Sequence, residues 1–273
     1  MFKILPKFTN FNLFGWLGSN TDTTNSSLRF KNASSKSNTY KILKKTPVKY
    51  KNGTGYIKTT TKREKSNQDA LKINIAITDK EKSPLGHYEY TINKSTATIN
   101  YGYIETYLPQ RRNGLGEILR LSSIIEFIEN GIKTLDIGSY PDAIPFHLKC
   151  RLKPNLTTSY ITLKILNNIK NNPKVQPYYR QMAEKLIIKI ENENSVSLSK
   201  STSKFVNEFI ESYIKQHLHN WQDTKIRPFL PMILTESRIK QFAGFYNKLF
   251  KKHGINYKIW SKYHTKNILH KKS

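Results

Sequence analysis

Leu108 to Ile128 reads LPQRRNGLGEILRLSSIIEFI, and the order of residue types in it decides the fold. From Glu117 onward the pattern is helical: Ile118, Leu121, Ile125 and Ile128 recur at spacings of three and four, joined by Leu119, Ile124 and Phe127. One broad face is therefore apolar, and Glu117, Arg120, Glu126 and Glu129 are expected to point outward. Asn130-Gly131 supplies a left-handed stop. The preceding stretch, Thr96 to Tyr107 (TATINYGYIETY), is dense in β-branched and aromatic residues and reads as a strand. Its alternation has a defect. Ala97, Ile99, Tyr101 and Tyr103 share one parity while Ile104 and Leu108 take the other, as one extra residue in a strand would produce. A strand, a bulge, a glycine turn and a buried helix follow in that order.

Such an order suits anion binding. A helix N-terminus leaves its first backbone N–H groups unpaired and carries about half a positive charge, and glycines there let a phosphate approach closely. Arg111 and Arg112 add full charge beside it. Taken alone, Pro109 and a Gly-x-Gly are better explained as a plain turn.

Arg111-Arg112-Asn113-Gly114-Leu115-Gly116 resembles the Arg/Gln-x-x-Gly-x-Gly/Ala signature of the GCN5-related N-acetyltransferases. A short strand at Thr134 to Ile137 follows, and Ala143 to Pro154 (AIPFHLKCRLKP) is similar to that family's Ala-x-x-x-Tyr-x-x-x-Gly-Phe segment, with Ala143, Phe146 and Lys149 in place. The resemblance covers roughly residues 71–154. It implies an α/β (α+β) fold, a mixed and mostly antiparallel sheet flanked by helices, and acetyl-CoA as acyl donor. It further implies that Arg111, Arg112, Asn113, Gly114, Leu115 and Gly116 hold the pyrophosphate. Tyr107 and Leu108 then lie on the strand that splays from its neighbour and binds the acetyl and pantetheine arm, and Phe146 lines the cofactor. The departures are His147 for the tyrosine that protonates the leaving thiolate, Tyr140 for a cofactor-contacting asparagine, and Arg151 for a glycine. Within this scheme Glu105 is the candidate base and His147 the candidate acid, since an imidazolium protonates a thiolate near neutral pH.

The chain has 273 residues, enough for one substantial domain with extensions or two small ones. No run reaches the ~18 apolar residues of a membrane span. A single cysteine, Cys150, excludes an intrachain disulfide and fits a reducing compartment. His217 and His219 are two apart and face different sides of a helix, so no metal site is expected. Forty-six Lys plus Arg against nineteen Asp plus Glu give a net charge of +27, which attracts polyanions. RNA or a ribosome is the expected macromolecular partner.

Three regions are expected. Residues 1–69 form a low-complexity basic tail or targeting segment, since from Asn20 to Gln68 Ser, Thr, Asn and Lys leave little to bury. The acid-poor leader suits a mitochondrion, the alternative being the cytoplasm of an AT-rich intracellular bacterium. Residues 70–195 form the acetyltransferase-like domain, with strands at Leu71 to Thr78 and Leu85 to Asn93. Residues 196–273 form a basic helical extension. Tyr178 to Ile190, Lys204 to His219 and Glu236 to His253 have helical patterning, although Lys185 to Glu193 (KLIIKIENE) fits a last sheet strand as well. From Lys248 onward, basic residues alternate with Phe250, Tyr257, Trp260 and Tyr263, which suits phosphate contact with base stacking. The two functions expected are an N-acetyltransferase acting on an amine of a protein or RNA-associated acceptor, and an acetyltransferase-like fold kept as an RNA-binding or organellar ribosomal module.

Overall fold

The computed structural model describes residues 47–63, 69–107, 112–222 and 229–259. Eight strands form one sheet in the order β1-β2-β3-β4-β5-β6-β8-β7. They are β1 (Pro47–Tyr50), β2 (Gly53–Arg63), β3 (Ala70–Thr78), β4 (Pro84–Asn93), β5 (Thr98–Thr106), β6 (Thr134–Ser139), β7 (Lys153–Pro154) and β8 (Leu230–Thr235). The helices are α1 (Leu115–Glu129), α2 (Ile144–Lys149), α3 (Ser159–Asn171), α4 (Pro177–Glu193), α5 (Lys200–Gln222), α6 (Glu236–Gln241) and α7 (Ala243–Lys252). Every neighbouring pair is antiparallel except β5 with β6. The mixed, mostly antiparallel sheet with flanking helices is the fold class expected. So is the order of three antiparallel strands, a helix and a parallel strand.

Period-2 alternation places the core. Ile73, Ile75 and Ile77 on β3 and Tyr88, Tyr90 and Ile92 on β4 are all fully buried, and α1 packs across β3, β4 and β5. Lys72, Asn74, His87 and Glu89 occupy the other parity and stay half-exposed. The parity defect in β5 is a bulge. Thr91 pairs with Asn100 and Glu89 with Tyr103, so two residues of β5 stand opposite the one residue between them on β4.

Four expectations are corrected. The N-terminal tail does not reach residue 69, because β1 and β2 extend the sheet through Val48 and Ile57, both buried, while Lys58 and Lys62 of β2 point to solvent. The last sheet strand is not KLIIKI. That segment lies within α4, where Ala183, Leu186, Ile187 and Ile190 are buried at helical spacing. The sheet is completed by β8, so residues 196–273 are not wholly an extension. Finally, Glu117, Arg120 and Glu126 do not face solvent, with exposures of 6%, 1% and 1%. Helix α7 lies against α1, and Tyr257 donates its hydroxyl to Glu129 Oε1 at 2.8 Å. The helical stretches expected at 178–190, 204–219 and 236–253 are present as α4, α5 and the α6–α7 pair.

Candidate active site

The turn entering α1 has two left-handed residues, Arg112 at φ 64° and Gly114 at φ 89°. Glycine pays least for that backbone. Both glycines also answer to packing inside the chain. A Cβ on Gly114 would stand 3.1 Å from His253 Cε1, and one on Gly116 3.3 Å from the Phe146 ring. Lys51 N donates to Asn113 O at 2.9 Å, fastening the turn to the β1–β2 hairpin. The first main-chain bond of the helix runs from Ile118 N to Gly114 O, which leaves the preceding N–H groups directed outward along the axis.

Beside that end lies a group of charges. Glu117 Oε1 is 2.6 Å from Lys149 Nζ, and its Oε2 is 2.6 Å from Lys252 Nζ and 3.1 Å from His253 Nε2. The His253 bond, together with Lys149 and Lys252, holds the Glu117 carboxyl well below its usual range in spite of its burial. The same partner raises Lys149. His253 Nδ1 donates to Lys49 O at 2.7 Å, so β1, α1 and α7 meet at one buried ring. Two lysines and the exposed Arg112 therefore surround the N-terminus of α1 with net positive charge.

The sheet opens between β5 and β6. β5 pairs with β6 only at Thr98↔Thr134 and Ile99↔Leu135, although β5 runs on to Thr106 and β6 to Ser139. β6 stays joined to β8 over its whole length, and β5 to β4 as far as Thr106. The two strands thus diverge just ahead of the bulge and leave main-chain groups facing a wedge between them.

The expected site residues fall in three places. Asn113 and Gly114 form the turn and Leu115 and Gly116 open α1, with Arg112 exposed on the turn and Phe146 packed against Gly116. Leu108 and Arg111 lie outside the described residues. Glu105 and Tyr107 lie at the end of β5: Glu105 Oε2 is 3.9 Å from His87 Nε2, the Tyr107 ring is 6.2 Å from His87, and Tyr107 N donates to Leu85 O. His147 is apart from them, 8% exposed, with Nδ1 3.2 Å from Arg120 Nη2. Burial and then the Arg120 charge push its pKa well below the imidazole value. Burial and the Arg120 charge thus both work against an imidazolium at His147, the form that the expected acid role uses.

Other departures have structural accounts. Arg151 takes φ 68°, and its guanidinium carbon sits 4.9 Å from the Phe242 ring and 4.6 Å from Phe245. Cation–π contact offsets the backbone strain. Tyr140 is half-exposed against Phe229, 4.3 Å between rings. Cys150 is buried and its thiol is pushed up to about 12 by burial, which opposes formation of the thiolate. Phe250 is buried and Tyr257 packs on it, so these aromatics are core rather than stacking platforms; Trp260 and Tyr263 lie outside the described residues. No group of three or more metal-ligating side chains occurs among the described residues, and no helix among them is long and apolar enough to cross a membrane.

One carboxylate escaped the sequence reasoning. Asp136 lies on β6 one residue beyond the last pair with β5, its Oδ1 is buried without a hydrogen-bond partner, and burial raises its pKa while a bond from Thr134 opposes the rise. The signal was present, since Asp is rare inside a strand.

The chain thus carries a mixed sheet in which β5 and β6 pair only briefly, a glycine turn and an electropositive helix N-terminus. No protein-family model matches the sequence, and no curated protein matches it either. Among solved structures, it is similar to spermidine N-acetyltransferase from Vibrio cholerae in complex with CoA and spermine. Identity is 13% over 32% of this chain and 54% of that one, with a TM-score of 0.29. Mutant forms of the spermidine/spermine N-acetyltransferase SpeG from Vibrio cholerae give 13%, 32%, 55% and 0.29 in the same order. The chain thus overlaps only about half the length of each, an overlap on which no functional assignment rests.

Proposed function

We propose that the chain is an acyl-CoA N-acyltransferase that moves an acetyl group from acetyl-CoA to an amine. The observation that carries this is the divergence of β5 from β6 after two residue pairs, with β5 leading through the glycine turn into α1. An extended arm inserted there finds unpaired strand backbone on its flanks, and its phosphates meet helix N–H groups with Lys149, Lys252 and Arg112 around them. Pantetheine supplies amide groups for the first contact and the pyrophosphate supplies charge for the second.

The amine must lose a proton as it attacks the thioester carbonyl. Glu105 and Asp136 lie on the two strands that border the wedge, and either carboxylate can take that proton directly or through water. A polyanion-binding module on the same fold is the second function, favoured by the net charge of +27 and by the burial that works against an imidazolium at His147.

Thermal unfolding with added acetyl-CoA tests the first assignment. At a concentration of ~100 Kd the stabilisation is about 2.7 kcal/mol. Gly114→Val should abolish the shift, because the left-handed turn fails and the new side chain meets His253. Absence of any shift in wild type at millimolar acetyl-CoA refutes it.

A further inference from the structure

We propose that one end of the α3–α4–α5 helix group docks on an anionic lipid surface, through exposed apolar side chains set among lysines. The proposal is independent of the acyl-transfer function above. Three links gather that end. The start of α3 joins the loop between α4 and α5, since Ser159 N donates to Val196 O at 2.9 Å and Leu198 N to Thr157 O at 2.8 Å. The end of α4 joins the start of α5, since Ser199 donates to Glu193 twice, from N at 3.0 Å and from Oγ at 2.7 Å. Lys189 Nζ of α4 lies 4.9 Å from the centroid of the Phe205 ring on α5.

At this end Tyr160, Ile188, Val196 and Phe205 are 76%, 53%, 60% and 56% exposed. Apolar residues scattered singly over a surface need no explanation, whereas four gathered at one end of a helix group do. They are not loosely packed core. Ile165 on α3, Leu186, Ile187 and Ile190 on α4, and Val206 on α5 are buried and supply the inward faces. Helical spacing therefore turns Tyr160, Ile188 and Phe205 outward, and Val196 belongs to a loop whose residues 194–197 are all exposed.

The charge around them selects the partner. Lys164, Lys185, Lys189, Lys200 and Lys204 are exposed on the same three helices, and among the described residues none of the five forms an ion pair. Against them stand Glu191 and Glu208, with Glu193 engaged by Ser199 and Thr202, while Glu184 pairs with Lys170. The surface is net positive, so a second copy of it is repelled and an anionic surface is attracted. Bases of a nucleic acid stack on aromatic rings, and Ile188 and Val196 offer none. All four apolar side chains can enter the boundary between headgroups and acyl chains, with lysine stems lying along them and ammonium groups among the headgroups.

Sedimentation of the full chain with lipid vesicles tests this. Vesicles of phosphatidylcholine carrying one third phosphatidylserine should bind the protein, and phosphatidylcholine alone should bind it far less, since each lysine near an anionic surface is worth about fivefold in affinity. The paired change Ile188→Ser and Phe205→Ser should weaken binding to the anionic vesicles about tenfold or more, with circular dichroism and thermal unfolding unchanged. If that variant does not fold, Tyr160→Ser with Val196→Ser makes the same test. Tyr178→Ser, 62% exposed at the far end of α4, should bind as wild type does. Absence of binding to the anionic vesicles at low salt overturns the proposal. Wild-type binding by both apolar pairs overturns it as well, because charge alone then accounts for the attraction, and so does an equal loss in Tyr178→Ser. If the Ile188 and Phe205 pair loses binding to unfractionated RNA and keeps binding to vesicles, the face belongs to nucleic acid and the lipid proposal falls.

Discussion

Glu117 joins two lysines and a buried histidine and ties three segments of the chain together, so its removal should be costly. Glu117→Gln leaves His253, 1% exposed, without its anionic partner, and we expect a loss of about 3 kcal/mol in urea unfolding at pH 7. The pH dependence has a definite sign. A carboxyl held low in the folded state contributes stability that is complete above its ordinary value of 4.5 and is lost as pH falls toward the depressed value. The difference between wild type and Glu117→Gln should therefore shrink between pH 5 and pH 3; a constant difference would refute the charged pairing. At Arg151, replacement by glycine relieves the φ of 68° and removes two aromatic contacts. Contacts of about 1 kcal/mol each when partly buried outweigh strain of about 1 kcal/mol, so Arg151→Gly should lower stability by about 1 kcal/mol in the same assay. Cys150 should resist alkylation at pH 8 in the folded protein and react once denaturant is added, since its thiol is buried and raised to about 12.

Among the elements, β5 and β6 carry the functional argument. Amide exchange should show alternation along β6 beyond Leu135, slow where the N–H pairs with β8 and fast where it faces the wedge. Bound acetyl-CoA should slow the fast set, and protection confined to α1 would place the ligand elsewhere. Much of this region was legible in the sequence. The parity change after Tyr103 signalled a bulge that lies two residues earlier, at Tyr101 and Gly102, and the Gly114 turn marked the start of α1. Other parts were hidden for physical reasons. Hydropathy treats Glu117, Arg120 and Glu126 as solvent-seeking, yet a helix covered on several sides buries charges whose partners come from far along the chain, Lys252 and His253 among them. The two strands β1 and β2 were hidden because an edge of the sheet needs few apolar residues, and Val48 and Ile57 sit among Lys, Thr and Gly. Segment KLIIKI was ambiguous in isolation, and the spacing from Ala183 to Ile190 resolves it as helix. At the site, the glycine turn was readable, whereas the His147 environment was not, because Arg120 and Tyr88 are distant in sequence.

At the scale of the molecule, the net charge of +27 is independent of the wedge and has its own test. If the chain binds RNA, affinity should fall with salt at a log–log slope of about 0.7 to 0.9 per neutralised phosphate. Filter binding of unfractionated RNA at several salt concentrations measures that slope, and no binding at low salt removes RNA as a partner. Residues 1–69 cannot be dispensable as a whole, since deleting them strips β1 and β2 from β3 and uncovers Leu71, Ile73, Ile75 and Ile77; circular dichroism of that truncation should show loss of the cooperative transition. The position of β8 has a further consequence, for synthesis. β6 ends at Ser139, and the strand that pairs along it begins at Leu230. On the ribosome the edge of β6 must wait while residues 140–229 are made, about 5 to 20 seconds at about 5–20 residues per second. During that interval α3, α4 and α5 can form from local contacts, but the sheet stays open on one side, a nascent chain with an unpaired strand edge that a chaperone or a neighbouring nascent chain could occupy.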